Sequence, residues 1–365
     1  MSERVEFYDC LRALAVSLVF FTHYRNWIPG GSLGVSVFFC LSGFLIVRIL
    51  MGLPELTFRN GVKFVFRRFM RVFPLYAFQL ILFTCLVAIA HRGYLSQLVA
   101  GLPALLTFID RPAGTGLSPA VSWTLHAEFW FYVFFPVMFW LAYKRNILLQ
   151  FCIAAIFASW ILKVGIGNTG EGTILAYTDQ RFTLLYLDQL IFGVVAGLLI
   201  KRRSPIVERF RNRIILWSGL ALIVALSFIP WKAYDLTWYY QSSAAAFLTA
   251  LLILHHEANP VPTALKPVAF IGRISYSIYL MHAIVLDFFP NFRPALLDTL
   301  VVTSLVIAIS TITYTFIEIP FIALSKKLAV FDRTNRKSNP SEEPASSFPL
   351  SIRSRRAVPK TIEIQ

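Results

Sequence analysis

The amino-acid sequence predicts an all-α protein, a polytopic membrane helix bundle of about ten transmembrane helices with both termini cytoplasmic. Of its 365 residues, 57% are hydrophobic and only 15% are charged, whereas about a quarter of the residues in soluble domains are charged. Apolar runs of membrane-crossing length recur along the chain, and the basic residues between them collect on one side. These observations exclude a soluble globular protein.

Ten apolar runs have the ~17 to 25 residues that a membrane-crossing helix needs. The predicted spans are residues 8–27, 33–51, 73–91, 123–143, 147–164, 182–200, 214–230, 238–255, 270–289 and 298–324. A further apolar segment, Leu95 to Ile109, is short and contains Gly101 and Pro103. It predicts a re-entrant or interfacial segment instead of an eleventh span.

The distribution of lysine and arginine predicts which side the termini face. With ten crossings, the side of the N-terminus holds 25 of the 34 basic residues and the opposite side holds 7, while Arg12 and Arg48, which lie inside spans, are assigned to neither side. The positive-inside rule therefore places both termini in the cytoplasm. This distribution accounts for the net charge of +15 without a nucleic-acid partner.

Composition divides the chain into two parts. Residues 1–324 form a single predicted membrane domain, and residues 325–365, rich in Lys, Arg, Asn, Ser and Pro, predict a disordered basic cytoplasmic tail. The four cysteines have no CxxC spacing, so we expect small core residues and neither a disulfide framework nor a metal site.

Two ionisable residues in the first span are functional candidates, because burying such a group in lipid costs ~2.5 kcal/mol or more. Arg12 and His23 are eleven positions apart, which on a helix places them on one face and about 16 Å apart along the axis. Each also fits a structural role, Arg12 as a snorkelling interfacial cation and His23 as a hydrogen-bonded histidine. Their shared face favours a polar path through the bundle.

Three arginines, Arg67, Arg68 and Arg71, precede Pro74, where we expect the third span to begin after a loop. Guanidinium groups match the oxygens of phosphates. An ordinary positive-inside cluster would also account for their charge.

Glu128 lies about two turns inside the fourth span and needs a partner there. We expect that partner to be His23 at similar depth, so that the carboxylate orients the imidazole and stabilises its protonated form.

The ninth span carries Ser275, Tyr279 and His282 at positions i, i+4 and i+7, which share a helix face. Polar packing between helices is an equally weighted alternative to a functional role. Tyr314 and Glu318 in the last span predict a structural pair.

Six segments, in order, resemble the acyltransferase-3 family of bacterial integral membrane acyltransferases, and the likeness covers most of residues 7–325. These segments are Arg12 and His23 at the R-x10-H spacing; the run from Gly31 to Phe44 with its F-F-x-L-S-G-F ending; Arg67, Arg68 and Arg71 before Pro74 and Tyr76; Ser122-Trp123-Thr124-Leu125 with Glu128; Ser275-Tyr276 to Tyr279 and His282; and Glu318-Ile319-Pro320. Thr124 departs from the pattern, since the family more often has Ser there, but the hydroxyl is kept.

The resemblance implies a multi-pass O-acetyltransferase of the bacterial inner membrane. Such an enzyme moves an acyl group, usually acetyl, from cytoplasmic acyl-CoA to a sugar hydroxyl of a surface or exported polysaccharide or a lipo-oligosaccharide. The implied partners are acyl-CoA, the carbohydrate acceptor and membrane lipids, with no metal and no nucleic acid.

The resemblance also implies roles for particular residues. His23 is the general base, or alternatively the carrier of a covalent acyl group, and Glu128 is the second catalytic residue. The remaining candidates are Arg12, Arg67, Arg68 and Arg71 for the CoA phosphates, and Ser42, Tyr76, Trp123, Ser275, Tyr279 and His282 for substrate contact or support. Ser42 and Tyr279 are also the candidates for stabilising the oxyanion.

Two other functions remain open at this stage. A flippase or exporter of lipid-linked sugars would also contain buried charges and aromatic residues, but it would work without acyl-CoA. A non-catalytic sensor or assembly protein would tolerate loss of His23. The combination of a cytoplasmic arginine cluster with an outward histidine favours the enzyme, which takes a donor from one face and an acceptor from the other.

Overall fold

The computed structural model of the chain describes residues 6–53, 57–90, 93, 95–108, 121, 123–167, 183–230, 236–260, 266–288 and 295–338. All regular secondary structure within these ranges is helical, as the sequence predicts. The α-helices, numbered along the chain, are α1 (Glu6–His23), α2 (Leu33–Leu50), α3 (Phe58–Ala90), α4 (Leu95–Leu106), α5 (Trp123–Lys144), α6 (Leu148–Gly167), α7 (Leu187–Lys201), α8 (Arg213–Ser227), α9 (Leu236–Ala258), α10 (Lys266–Arg273), α11 (Ser275–Phe288), α12 (Ala295–Thr313) and α13 (Ile319–Ser338). Short 3₁₀ turns cover Thr183–Tyr186 and Val207–Phe210, and a π turn covers Tyr314–Glu318.

Helices stand at each of the ten predicted span positions. Among the described residues, six helices are long and apolar enough to cross a membrane, or seven if α10 and α11 are counted as one bent span. Helix α8 is apolar but shorter, and α1 carries Glu6, Asp9 and Arg12 within one stretch. Ten crossings and cytoplasmic termini therefore stay predictions.

The predicted ninth span is a bent pair. Helices α10 and α11 meet at a 69° angle. Gly272, near the end of α10, packs directly on α1, since a Cβ at this position would come within 1.7 Å of the Asp9 carbonyl oxygen. The bend thereby turns the face of α11 that carries Ser275 and Tyr279 toward the interior of the bundle.

The third helix does not begin at Pro74, and the expected loop before it is wrong. Helix α3 runs unbroken from Phe58 to Ala90 with Pro74 inside it. The buried stripe of the helix continues at helical spacing through Phe64, Arg68, Val72, Leu75 and Tyr76, so packing holds the same helix on both sides of the proline. Membrane helices tolerate proline because surrounding groups satisfy the freed backbone.

Helix α2 lies at the centre of the bundle and packs against α1, α7 and α9. Two glycines permit its closest contact. A Cβ on Gly43 would come within 1.9 Å of the Leu190 carbonyl oxygen of α7, and a Cβ on Gly193 would come within 1.8 Å of the Cys40 carbonyl oxygen of α2. Small residues at such crossings let helix backbones approach closely in membranes.

Helix α13 continues past Ser325, where the tail is predicted to begin, as far as Ser338. The remainder of the predicted tail lies outside the described residues. The chain divides into a compact unit that ends at Ser325 and a second unit from Lys326 onward. The site described below belongs entirely to the first unit.

Candidate active site

A cavity opens between α1, α2, α3, α5 and α11. Its polar lining consists of Arg12, Ser42, Arg68, Arg71, Thr124, Glu128, Tyr132, Ser275, Tyr276 and Tyr279. The apolar lining consists of Val35, Phe38, Phe39, Leu41, Leu45, Val72 and Leu125. Side chains of five helices thus form one chamber that is cationic on one part of its wall and apolar on another.

Two of the cavity arginines are held in place by neighbouring groups. Arg12 donates a hydrogen bond of 2.6 Å to Asp9, whose side chain is only 1% exposed. Arg68 is 9% exposed, and its guanidinium carbon lies 5.6 Å from the ring centroids of both Phe64 and Tyr132. Fixed guanidinium groups of this kind suit the recognition of phosphate oxygens.

Arg67, Arg68 and Arg71 of α3 do not form one cluster. Arg68 and Arg71, three residues apart, both line the cavity, because positions i and i+3 share a helix face. Arg67 is exposed on another face of the helix. The structure therefore separates one of the predicted phosphate ligands from the other two.

Glu128 lies in the cavity, where the hydroxyls of Ser42 and Tyr132 both donate hydrogen bonds to its Oε1 atom. It also interacts electrostatically with Arg68. The expected pair of Glu128 with His23 is wrong. Glu128 meets α2 at Ser42, near the middle of that helix, whereas His23 is the last residue of α1, so the two side chains lie at different depths.

His23 instead pairs with His282. The Nδ1 atom of His23 lies 3.3 Å from the Nε2 atom of His282 and 3.0 Å from the Val19 carbonyl oxygen. His282 is fully buried, whereas His23 reaches the protein surface. Asp287, also on α11, interacts electrostatically with His23. A surface imidazole with a buried imidazole behind it is thus the centre of this second group.

Tyr279 connects the cavity to the histidine pair. Its hydroxyl lies 2.8 Å from the Thr124 hydroxyl and donates to the Val121 carbonyl at 3.1 Å. Its ring centroid lies 6.0 Å from that of His282. Ser275 and Tyr279 line the cavity and His282 follows, so the three side chains lie along one face as their spacing predicts.

A family model described as an acyltransferase domain, that of acyltransferase-3, matches residues 5–317. The chain belongs to the acyltransferase-3 family. The O-acetyltransferase OatA of Staphylococcus aureus strain MRSA252 is 26% identical over 361 residues, which cover 89% of this chain and 60% of that protein. OatA of strain NCTC 8325 / PS 47 has the same identity and coverage.

The chain spans about 60% of the length of these curated relatives. No solved structure is significantly similar to it.

Two further predicted site residues, Tyr76 and Trp123, support the fold beside the cavity. The hydroxyl of Tyr76 donates to the Leu105 carbonyl at 3.1 Å and lies 3.2 Å from His126 Nε2. The ring of Trp123 packs against Tyr186 with centroids 5.1 Å apart. Tyr76 thereby fixes α4 and α5 to α3, and Trp123 joins α5 to the turn before α7.

Glu318 is buried and accepts a hydrogen bond of 3.3 Å from Ser277. The predicted partner, Tyr314, begins the π turn that ends at Glu318. This turn alters the helical spacing on which the predicted pair depends.

Sequence reasoning missed a buried ion pair between Lys163 and Asp188. Lys163 of α6 donates to both carboxylate oxygens of Asp188 at 2.7 Å and to Ser243 of α9 at 2.8 Å. Lys163 is 1% exposed and Asp188 is 0% exposed. Ser159 and Trp160 also donate to Asp188. The position of Asp188 inside a predicted span is the signal that could have identified it.

A second carboxylate that sequence reasoning missed binds the two residues that follow His23. Asp298 of α12 is fully buried and accepts hydrogen bonds from Tyr24 at 2.7 Å and Arg25 at 2.8 Å. Arg25 has a left-handed backbone with φ of 55°. The two residues that follow His23 are therefore tied to α12, which fixes the end of α1.

The cysteines Cys10, Cys40, Cys85 and Cys152 are free thiols. Within the described part of the chain, no three His, Cys, Asp or Glu side chains form a group that could hold a metal ion.

Proposed function

We propose that this chain is an integral membrane O-acetyltransferase that moves an acetyl group from cytoplasmic acetyl-CoA to a hydroxyl of a carbohydrate. The observation that carries the proposal is a cavity with three guanidinium groups that Tyr279 links to a histidine pair, in a member of the acyltransferase-3 family. The name of these relatives, O-acetyltransferase, supports acetyl as the transferred group.

The cavity suits the two chemical parts of the donor. Arg12, Arg68 and Arg71 supply charge-assisted hydrogen bonds for the phosphates of CoA. The apolar wall formed by α2 suits the pantetheine arm, which has few charges to satisfy. Because Asp9 and the rings of Phe64 and Tyr132 already hold two of the guanidinium groups, little side-chain freedom is lost when phosphates bind.

Glu128 serves this donor site from within the cavity. Its carboxylate accepts hydrogen bonds from Ser42 and Tyr132 and offsets part of the positive charge of Arg68. We assign Glu128 the role of holding the Ser42 and Tyr132 hydroxyls in place in the cavity wall, next to the Arg68 guanidinium, so that the donor site is ordered before the donor binds.

His23 is the general base of the transfer step. The acceptor oxygen attacks the thioester carbonyl carbon, and His23 Nε2 takes the hydroxyl proton. Collapse of the tetrahedral intermediate breaks the carbon–sulfur bond, and the CoA thiolate takes the proton from the imidazolium. Asp287 interacts electrostatically with the ring and stabilises the imidazolium. The surface position of His23 leaves room for a large acceptor.

A covalent route uses the same atoms. In that route Nε2 attacks the thioester carbonyl carbon, the carbon–sulfur bond breaks, and the CoA thiolate takes the Nδ1 proton of the acyl-imidazolium. The acceptor oxygen then attacks the acyl carbon, the bond from that carbon to Nε2 breaks, and the hydroxyl proton returns to the imidazole. Incubation of the protein with labelled acetyl-CoA and no acceptor separates the routes, since only the covalent route leaves label on the chain.

The proposed setting is the bacterial inner membrane, with a surface or exported polysaccharide or a lipo-oligosaccharide as acceptor. Membranes that contain the chain are given acetyl-CoA labelled in the acyl group, and label is followed into the saccharide fraction. We expect transfer by the wild type and by His256→Ala, a control whose ring stacks on Phe7 away from the cavity, and loss of transfer in His23→Ala.

Two results would contradict this proposal in different ways. Equal labelling by His23→Ala and the wild type would remove His23 from the chemistry. Labelling no higher than in empty membranes, with both acetyl-CoA and succinyl-CoA, would reject the transferase and favour a flippase or exporter of lipid-linked sugars.

A further inference from the structure

The hydrogen-bond partners of His282 determine which of its ring nitrogens carries a proton. Its Nδ1 atom lies 3.1 Å from the Ile278 carbonyl oxygen. A carbonyl only accepts hydrogen bonds, so Nδ1 is the donor and carries the hydrogen. In a neutral ring the other nitrogen, Nε2, then presents a lone pair.

That lone pair points at His23. The Nε2 atom of His282 is 3.3 Å from Nδ1 of His23, which also lies 3.0 Å from the Val19 carbonyl oxygen. Both neighbours of His23 Nδ1 are therefore acceptors, and the hydrogen of the neutral ring belongs on Nδ1. His23 Nε2 is left unprotonated, which is the state that a general base or nucleophile at this atom requires.

We infer that His282 is a positioning residue that, together with the Val19 carbonyl, fixes the tautomer and orientation of His23 and so makes Nε2 of His23 the reactive nitrogen. The inference rests on the proposed function, in which His23 takes a proton or an acyl group. In this arrangement His23 is a base that is oriented by a further group. That group is the buried imidazole of His282, where the enzymes of the Ser-His-Asp type use a carboxylate.

The burial of His282 suits this role. It is 0% exposed, and its ring packs near Phe20 and Tyr279, with centroids 6.3 Å and 6.0 Å away. A ring confined in this way loses little freedom when it accepts a hydrogen bond. It also leaves the acceptor substrate no access to His282, so His282 acts through His23.

The test reads the His23 ring directly, before any substrate is added. The full-length protein is purified in detergent with ¹⁵N-labelled histidine, and the His23 signals are identified by their absence from His23→Ala. We expect the wild type to show a protonated Nδ1 and an unprotonated Nε2. We expect His282→Leu to shift the tautomer ratio by about fivefold, the effect of one ordinary hydrogen bond.

His282→Gln is the matched rescue variant. Its amide oxygen can accept from His23 Nδ1 as the imidazole Nε2 does, and its NH₂ group can donate to the Ile278 carbonyl. We expect His282→Gln to keep the wild-type tautomer. In the transfer assay we expect kcat about fivefold lower for His282→Leu than for His282→Gln, by the same hydrogen-bond reasoning, with equal KM for acetyl-CoA.

A purely structural role for His282 would give different results. A wild-type His23 ring protonated at Nε2 would overturn the inference, and so would an unchanged His23 spectrum in a folded His282→Leu. If Leu fails to fold, the comparison rests on Gln, and a His23 tautomer altered by Gln would also overturn it. Absence of transfer by the wild type would reject the proposed function, while the ring spectra would still decide whether His282 sets the tautomer.

Discussion

The hydroxyl oxygen of Thr124 lies 2.8 Å from the phenol oxygen of Tyr279, and this contact joins α5 to α11 at the wall of the cavity. Tyr279 is adjacent to both parts of the site, since it lines the cavity and its ring neighbours His282. The position at which the sequence departs from the family pattern is thus a structural contact at the junction of the cavity and the histidine pair.

The hydroxyl of Thr124, and not its methyl group, is expected to matter for activity. Thr124→Ser keeps the hydrogen bond to Tyr279, and Thr124→Val removes it while it preserves the shape of the side chain. We expect transfer by Thr124→Ser to equal the wild type and kcat of Thr124→Val to fall roughly fivefold, since one hydrogen bond contributes about 1 kcal/mol. Steady-state label transfer measures both. Equal rates for the two variants would show that this bond has no role.

Arg71 and Arg67 provide a matched pair for testing donor recognition. Arg71→Ala removes a cavity charge, whereas Arg67→Ala removes an exposed one from the same helix. We expect Arg71→Ala to raise KM for acetyl-CoA by about tenfold to a hundredfold, the effect of one charge-assisted hydrogen bond. Arg67→Ala should leave KM unchanged. A similar rise in both variants would mean that general positive charge at the membrane surface attracts the donor.

The Lys163–Asp188 pair is expected to stabilise the fold. Asp188→Asn leaves the buried ammonium of Lys163 without its counter-charge, which typically costs about 3 to 5 kcal/mol. We expect a lower thermal unfolding temperature in detergent. Glu208→Gln is the control, because the Glu208–Arg211 pair is 3.9 Å long and mostly exposed. Unfolding of Asp188→Asn at the wild-type temperature would contradict this assignment.

The contact between α2 and α7 makes Gly43 sensitive to a single added methyl group. Gly43→Ala would place Cβ against a backbone carbonyl that cannot rotate away, so the helices must separate. We expect destabilisation of about 1 to 3 kcal/mol, as for other overpacked cores. Gly61→Ala is the control, since a Cβ at Gly61 meets no atom within 4 Å. Thermal unfolding in detergent compares them, and equal stability would exclude a tight crossing in solution.

The lengths of the apolar runs predict the helices because every residue that crosses the bilayer core meets the same apolar environment. They could not predict the depth of Glu128. Depth depends on where each helix begins relative to its neighbours, and Glu128 reaches Ser42 of α2 while His23 ends α1. Tertiary packing decides that offset, and no local pattern records it.

Local rules also misplaced the start of α3. A proline after a basic stretch is a common helix start, but Pro74 lies between Val72 and Leu75, whose buried side chains pack the helix on both sides of it. The consequence for the site is direct. Because Arg68 and Arg71 belong to a helix and not to a loop, helical spacing selects these two for the cavity and turns Arg67 away.

The unbroken course of α3 has a mechanical consequence. Two hydrogen bonds fasten this helix to α11, one from Tyr276 to the Val72 carbonyl and one from Gln79 to the Leu280 carbonyl, both 2.7 Å long. One bond lies before Pro74 and the other after it. The helix that carries Arg68 and Arg71 in the cavity wall is therefore the same helix that supports α11, which carries His282. A displacement of α3 at these arginines would therefore also move α11, in addition to the direct connection that Tyr279 makes between the cavity and the histidine pair.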